Sequence, residues 1–121
     1  MTPYEAKELA ERGELTIIDV RLPAEWARTG LPEGALAISL QDQTLQPRAD
    51  FVADVRRGLA DDVDRPIAVI CASGHRSAYA KEVLTAGGFT RVHDISEGML
   101  GGEYGPGWLE RELATEPCTL C

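Results

Sequence analysis

Residues 66–77, PIAVICASGHRS, decide how this chain folds. Ile67, Val69 and Ile70 are β-branched and Ala68 is apolar, so the run reads as a buried strand. Cys71 ends it. Two small residues, a glycine, a histidine, an arginine and a serine follow before the clearest helix of the sequence, RSAYAKEVLTAGG over 76–88. That helix is expected to start near Arg76 or Ser77, to turn Ala78, Ala80, Val83 and Leu84 inward, and to stop at Gly87–Gly88.

The same alternation extends in both directions. TPYE at the N-terminus is a capping box, with Thr2 as N-cap, Pro3 at the first helical position and Glu5 reaching back. Its helix should run to about Arg12 and end at Gly13. ELTIIDV (14–20) is a strand, PAEWARTG (23–30) a short helix ended by Gly30, and GALAISL (34–40) a weaker strand. PRADFVADVRRGLADDV (47–63) places Phe51, Val52, Val55 and Leu59 at helical spacing. RVHDI (91–95) is a short strand. The glycine-rich EGMLGGEYGPG (97–107) leads to a terminal helix WLERELA (108–114) and the tail TEPCTLC. Strands alternating with helices give an α/β domain with a largely parallel sheet. In such sheets ligands collect at the carboxyl ends of strands, where Cys71 lies.

At 121 residues the chain fits one domain, read as residues 1–115, with residues 116–121 as a tail. A net charge of −8 excludes a nucleic-acid partner, which needs a basic face. The acidic surface suits a basic protein partner or plain solubility. No apolar run is long enough for a membrane span. The first residues carry charge and no apolar core of a secretory signal, so a cytoplasmic location is expected. Three cysteines in such a compartment point to chemistry rather than to cross-links.

Between Cys71 and the helix the chain must turn sharply. Gly74 can take a positive φ, and small Ala72 and Ser73 let backbone N–H groups point inward. Amides from Ala72, Ser73, Gly74, His75, Arg76 and Ser77, with the positive helix end, would form an anion cradle around the sulfur. Helix N-termini and nearby cations lower cysteine pKa values from about 8.5 toward about 3.5–7.5, so a thiolate is expected. His75 and Arg76 are the cations at hand. A cysteine buried for packing alone would explain the strand end, but not the glycine and arginine at these spacings.

The pattern C-x-x-G-x-R-S after an apolar strand resembles the active-site loop of the rhodanese family of sulfurtransferases. The likeness continues along residues 3–110 in the same order. IIDVRLPAEWARTG resembles the family's DVR segment, with Asp19, Val20, Arg21, Glu25, Trp26 and Gly30. GLPEGALAI resembles its GHIPGA stretch, although Leu31 replaces the histidine, Pro32 falls one place early and Glu33 takes the proline position. SEGMLGGEYGPGW resembles its late glycine-rich segment. The resemblance implies a three-layer rhodanese-like domain with a central, mostly parallel sheet flanked by helices. It also implies a persulfide on Cys71, loaded by a small donor such as thiosulfate and passed to a thiol or protein acceptor. No metal or organic cofactor is called for.

Several readings compete. A cysteine-dependent phosphatase or arsenate reductase cradles its oxyanion with five residues between cysteine and arginine, against four here. A non-catalytic binding module is the other alternative. Asp19 and Arg21 are expected to brace the sheet end and Trp26 to pack. His75 either projects into solvent or attracts an anionic donor, and His93 is structural. Cys118 and Cys121 form a C-x-x-C pair without the strand-to-helix setting that tunes redox motifs. They are either reactive tail thiols or acceptors and resolvers of the Cys71 sulfur.

Overall fold

The computed structural model describes residues 1–119. The N-terminal capping box forms and starts helix α1 (Pro3–Glu11): Thr2 Oγ1 accepts from the Glu5 amide at 3.1 Å, and Glu5 Oε1 accepts from the Thr2 amide at 2.9 Å. Gly13 leaves the helix with φ +73°. The chain continues through β1 (Thr16–Asp19), α2 (Pro23–Thr29), β2 (Leu31–Pro32), β3 (Leu36–Ala37), α3 (Phe51–Gly58), β4 (Ile67–Ile70), α4 (His75–Ala86), β5 (Val92–Asp94) and β6 (Thr115–Glu116).

Strands β3, β1, β4 and β5 form one parallel sheet in that order. All four residues of β4 are buried, because the strand is central and both faces are covered. Side-chain alternation sorts them. Ile67, Val69 and Cys71 join Ile18 and Val20 on one face, packed against Phe51 and Val55 of α3 and Ala80 and Leu84 of α4. Ala68 and Ile70 join Ile17 on the other, against Ala6 of α1 and Ile95, Met99 and Trp108. This is the expected three-layer architecture with a mostly parallel sheet. Each fully buried aliphatic side chain contributes about 1.5–3 kcal/mol relative to exposure. The alternation has a functional consequence. It sends the Cys71 side chain to the face on which α4 begins.

β1 and β4 run in register, with Asp19 beside Ile70, so their carboxyl ends emerge side by side. α4 starts one residue earlier than its sequence suggests, with Gly74 as N-cap at φ +105°. Its buried face is Ser77, Ala80 and Leu84, while Ala78 is exposed. Ala78 lies about 100° round the helix from Ser77 and misses the core stripe.

The expected terminal helix at WLERELA is a series of turns. The Trp108 and Leu109 amides donate to the carbonyls of Gly98 and Met99 at 2.9 and 3.1 Å, and Glu112 takes φ +57°. Tertiary hydrogen bonds and a left-handed residue override the local helical pattern. The GALAISL strand is reduced to Leu36–Ala37, and β2 forms before it. β2 pairs antiparallel with β6, Leu31 opposite Glu116 and Pro32 opposite Thr115, which joins residues 115–116 to the segment that follows α2.

Candidate active site

Cys71 directly follows β4 and is 1% exposed. The chain then turns through Gly74, where positive φ is required and where a Cβ would sit 2.5 Å from the Ser96 carbonyl oxygen. That turn brings the Gly74 N–H back to the sulfur, to which it donates at 3.1 Å. From the helix side, buried Ser77 places its Oγ 3.4 Å from Sγ and donates to the Gly74 carbonyl at 3.3 Å. His75, Arg76 and Ser77 form the first turn of α4, where amides have no intrahelical acceptor and the helix end carries partial positive charge. Sulfur, inward amide, hydroxyl and helix end therefore converge.

A second loop forms the wall. Met99 and Leu100 donate their amides to the carbonyls of Cys71 and Ala72 at 2.8 and 2.9 Å. Gly98, at φ +72°, lies so close that a Cβ there would fall on the Ala72 carbonyl and 2.8 Å from the Ser73 amide nitrogen. Glu97 holds this wall from behind. Its Oε1 accepts from the Gly107 amide at 3.0 Å and from Arg111 Nε at 2.7 Å, and its Oε2 accepts from Arg111 Nη2 at 2.8 Å. Those bonds, from Arg111 first, hold its carboxyl below the usual range against the opposing effect of burial. Gly105 leaves room for the Glu97 carboxylate, which a Cβ would displace. The Arg111 guanidinium lies 4.9 Å from the Tyr4 ring centroid, a cation–π contact.

Two ion pairs flank the sulfur-bearing edge. Asp19 and Arg21 are 0% and 1% exposed at their side chains and bond through Nε–Oδ1 at 3.0 Å and Nη2–Oδ2 at 2.8 Å. Arg21 Nη2 also donates to the Gly30 carbonyl at 3.0 Å, so the pair ties the end of β1 to the end of α2. Arg76 spans 51 residues to Glu25 of α2, with Nη1–Oε1 at 2.6 Å and Nη2–Oε2 at 2.9 Å. The Arg76 hydrogen bonds hold the Glu25 carboxyl below the ordinary range, opposed by burial. Glu25 in turn holds Arg76 more firmly protonated, with a smaller contribution from the Cys71 sulfur.

The structure brings Cys71, Ala72, Ser73, Gly74, Arg76 and Ser77 together in one loop and helix start. Ala72 and Ser73 are half-buried, and His75 is exposed at the first position of α4. Cys118 is half-buried after β6, where it lines a groove of about 410 Å³ with Pro23, Trp26 and Leu31. No residue from 71 to 77 lines that groove. Cys121 lies outside the described residues. Sequence reasoning did not find Glu97 or Arg111. The glycines between them were a visible signal, but the ion pair across the loop was not. Glu25 stood in a recognised segment, yet nothing local announced its partner. Among the described residues, no group of three or more His, Cys, Asp or Glu is placed to hold a metal ion, and no helix is long and apolar enough to cross a membrane.

The family model for the rhodanese-like domain matches residues 2–103. The chain belongs to the rhodanese-like domain family. It is 28% identical over 97 residues to the thiosulfate sulfurtransferase GlpE of Pseudomonas syringae, covering 80% of this chain and 79% of that protein. Among solved structures it resembles Rv0390 from M. tuberculosis, with a TM-score of 0.76, 29% identity, and coverage of 96% and 95% of the two chains. It also resembles the homodimeric polysulfide-sulfur transferase from Wolinella succinogenes, with a TM-score of 0.68, 25% identity, and coverage of 98% and 78%. The rhodanese fold explains why β1 and β4 end side by side with α4 beginning above them.

Proposed function

We propose that this rhodanese-like domain is a sulfurtransferase that carries sulfane sulfur as a persulfide on Cys71. The observation that carries the reading is the Cys71 sulfur itself, which accepts the Gly74 N–H at the start of α4 and has Ser77 Oγ beside it. A thiolate here attacks the outer sulfur of thiosulfate. The new S–S bond forms as the old one breaks heterolytically, and its electron pair leaves with sulfite. The persulfide keeps one negative charge at its terminal sulfur, near the first-turn amides of α4. A nucleophilic acceptor, cyanide in an assay or a thiol in the cell, then takes the outer sulfur and returns the thiolate. Two half-reactions through a covalent intermediate give ping-pong kinetics. Sulfur-transfer names among the relatives favour this chemistry.

Phosphate chemistry fits less well. Only four residues separate Cys71 from Arg76, and both terminal nitrogens of Arg76 are engaged by Glu25, whereas an oxyanion cradle needs a forked donor facing the ligand. The distinguishing experiment measures thiocyanate release from thiosulfate and cyanide beside hydrolysis of an aryl phosphate. Thiocyanate release by the wild type and its loss in Cys71→Ser is the expected outcome. Aryl phosphate turnover without thiocyanate would overturn the proposal.

A further inference from the structure

Thiosulfate is a dianion, yet the two guanidinium groups beside the Cys71 edge are each matched by a carboxylate. Arg21 is closed off with Asp19 in the interior. Arg76 spends both terminal nitrogens on Glu25, and each side chain of that pair is about a fifth exposed. The surrounding chain carries a net charge of −8. Of the two arginines neither is left free for an anion, which meets instead the amide dipoles of the helix start and the exposed His75 at its first position. Dipoles recognise negative charge but gain less from a second one than a free guanidinium would. We propose that Glu25 is a specificity-determining residue. By neutralising Arg76 beside the sulfur, it favours sulfane-sulfur donors of single negative charge over dianionic donors such as thiosulfate.

This inference rests on the persulfide reading of Cys71. Glu25 acts through Arg76 and is a positioning residue. Its influence is Coulombic and scales with donor charge. Methanethiosulfonate anion supplies the comparison. It has the shape of thiosulfate with a methyl group in place of one oxygen, and it carries one charge instead of two. Attack by the Cys71 thiolate releases methanesulfinate where thiosulfate releases sulfite, with the same bond formed and the same kind broken.

The experiment compares KM and kcat for both donors in the wild type, Glu25→Gln and Arg76→Gln, with cyanide as acceptor. Glutamine keeps an oxygen to accept the Leu22 amide, which Glu25 Oε1 holds at 3.1 Å, so the start of α2 retains its cap. Removing one charge from a solvent-accessible pair should lower KM about threefold for the monoanion and, as the square, about ninefold for the dianion. That difference should shrink as salt is raised. Arg76→Gln leaves Glu25 unopposed and should move the donor preference the other way, penalising thiosulfate more. A preference that is the same in all three proteins would overturn the Glu25 assignment alone, as would equal loss of both donors in Glu25→Gln. If the wild type takes sulfur from neither donor, the persulfide reading falls and the assignment falls with it.

Discussion

Replacing Ser77 by alanine tests whether the helix start stabilises charge on the Cys71 sulfur. Ser77 is fully buried, and its Oγ lies 3.4 Å from Sγ. As the thiol deprotonates, the hydroxyl can turn from the Gly74 carbonyl to donate to sulfur. That carbonyl would not be orphaned, because it also accepts the Ala78 amide at 3.3 Å. The perturbation thus removes a charge-assisted hydrogen bond without stranding a buried acceptor. Such bonds contribute about 1.5–3 kcal/mol, equivalent to about 10- to 100-fold in rate at 1.36 kcal/mol per decade. Loss of the neutral Ser77–Gly74 bond should cost about 1 kcal/mol of stability. Single-turnover formation of the persulfide from thiosulfate should therefore slow by 10- to 100-fold in Ser77→Ala, with only a small fall in the thermal midpoint. A loading rate within twofold of wild type, in a protein that melts normally, would refute a stabilising role for the hydroxyl.

Gly98→Ala should be severe, since φ +72° and contact with the Ala72 carbonyl leave no room for a Cβ; a loss of about 3 kcal/mol or more in denaturant unfolding is expected from strain and overpacking together. Wild-type stability in that variant would contradict the packing of the 98–107 loop on Cys71. Glu97 and Glu25 both titrate below their ordinary 4.5 in the folded chain. Their contribution to stability is complete above that value and disappears as pH falls through the lower folded values. The thermal midpoint should therefore drop below pH 4.5, and Glu97→Gln should flatten part of that drop while costing about 1–3 kcal/mol at neutral pH. A pH profile identical to wild type in Glu97→Gln would remove Glu97 from the account.

Much of this site was legible because its determinants are local. The apolar run 67–70, the terminal cysteine, the glycine three residues on and the helix behind it lie within twenty residues, and each acts on its neighbours. The capping box at Thr2 and Glu5 was readable for the same reason. What escaped was set by distance along the chain. Arg76 looked like a cation facing the sulfur, but its partner Glu25 is 51 residues away and neutralises it. WLERELA has helical spacing, yet its first two amides go to Gly98 and Met99 across the glycine-rich loop, the Leu113 amide reaches back to Trp108, and Glu112 sits at φ +57°. The apolar pattern of 76–88 places Ala78 in the core, but pattern alone does not fix which stripe faces inward. The inward position belongs to Ser77, a polar residue whose place is explained by the sulfur it touches. The pairing of β2 with β6 joins residues more than eighty positions apart, and Leu31 and Pro32 carry no strand signal of their own.

Intact mass after thiosulfate treatment decides whether Cys71 is the sulfur carrier. Wild-type protein should gain one sulfur, about 32 Da, reversed by cyanide and mapped by peptide analysis to Cys71, because the proposed transfer runs through a covalent persulfide. Cys71→Ser should gain nothing. A wild type that stays unmodified, or a gain that persists in Cys71→Ser and maps to Cys118 or Cys121, would contradict the account.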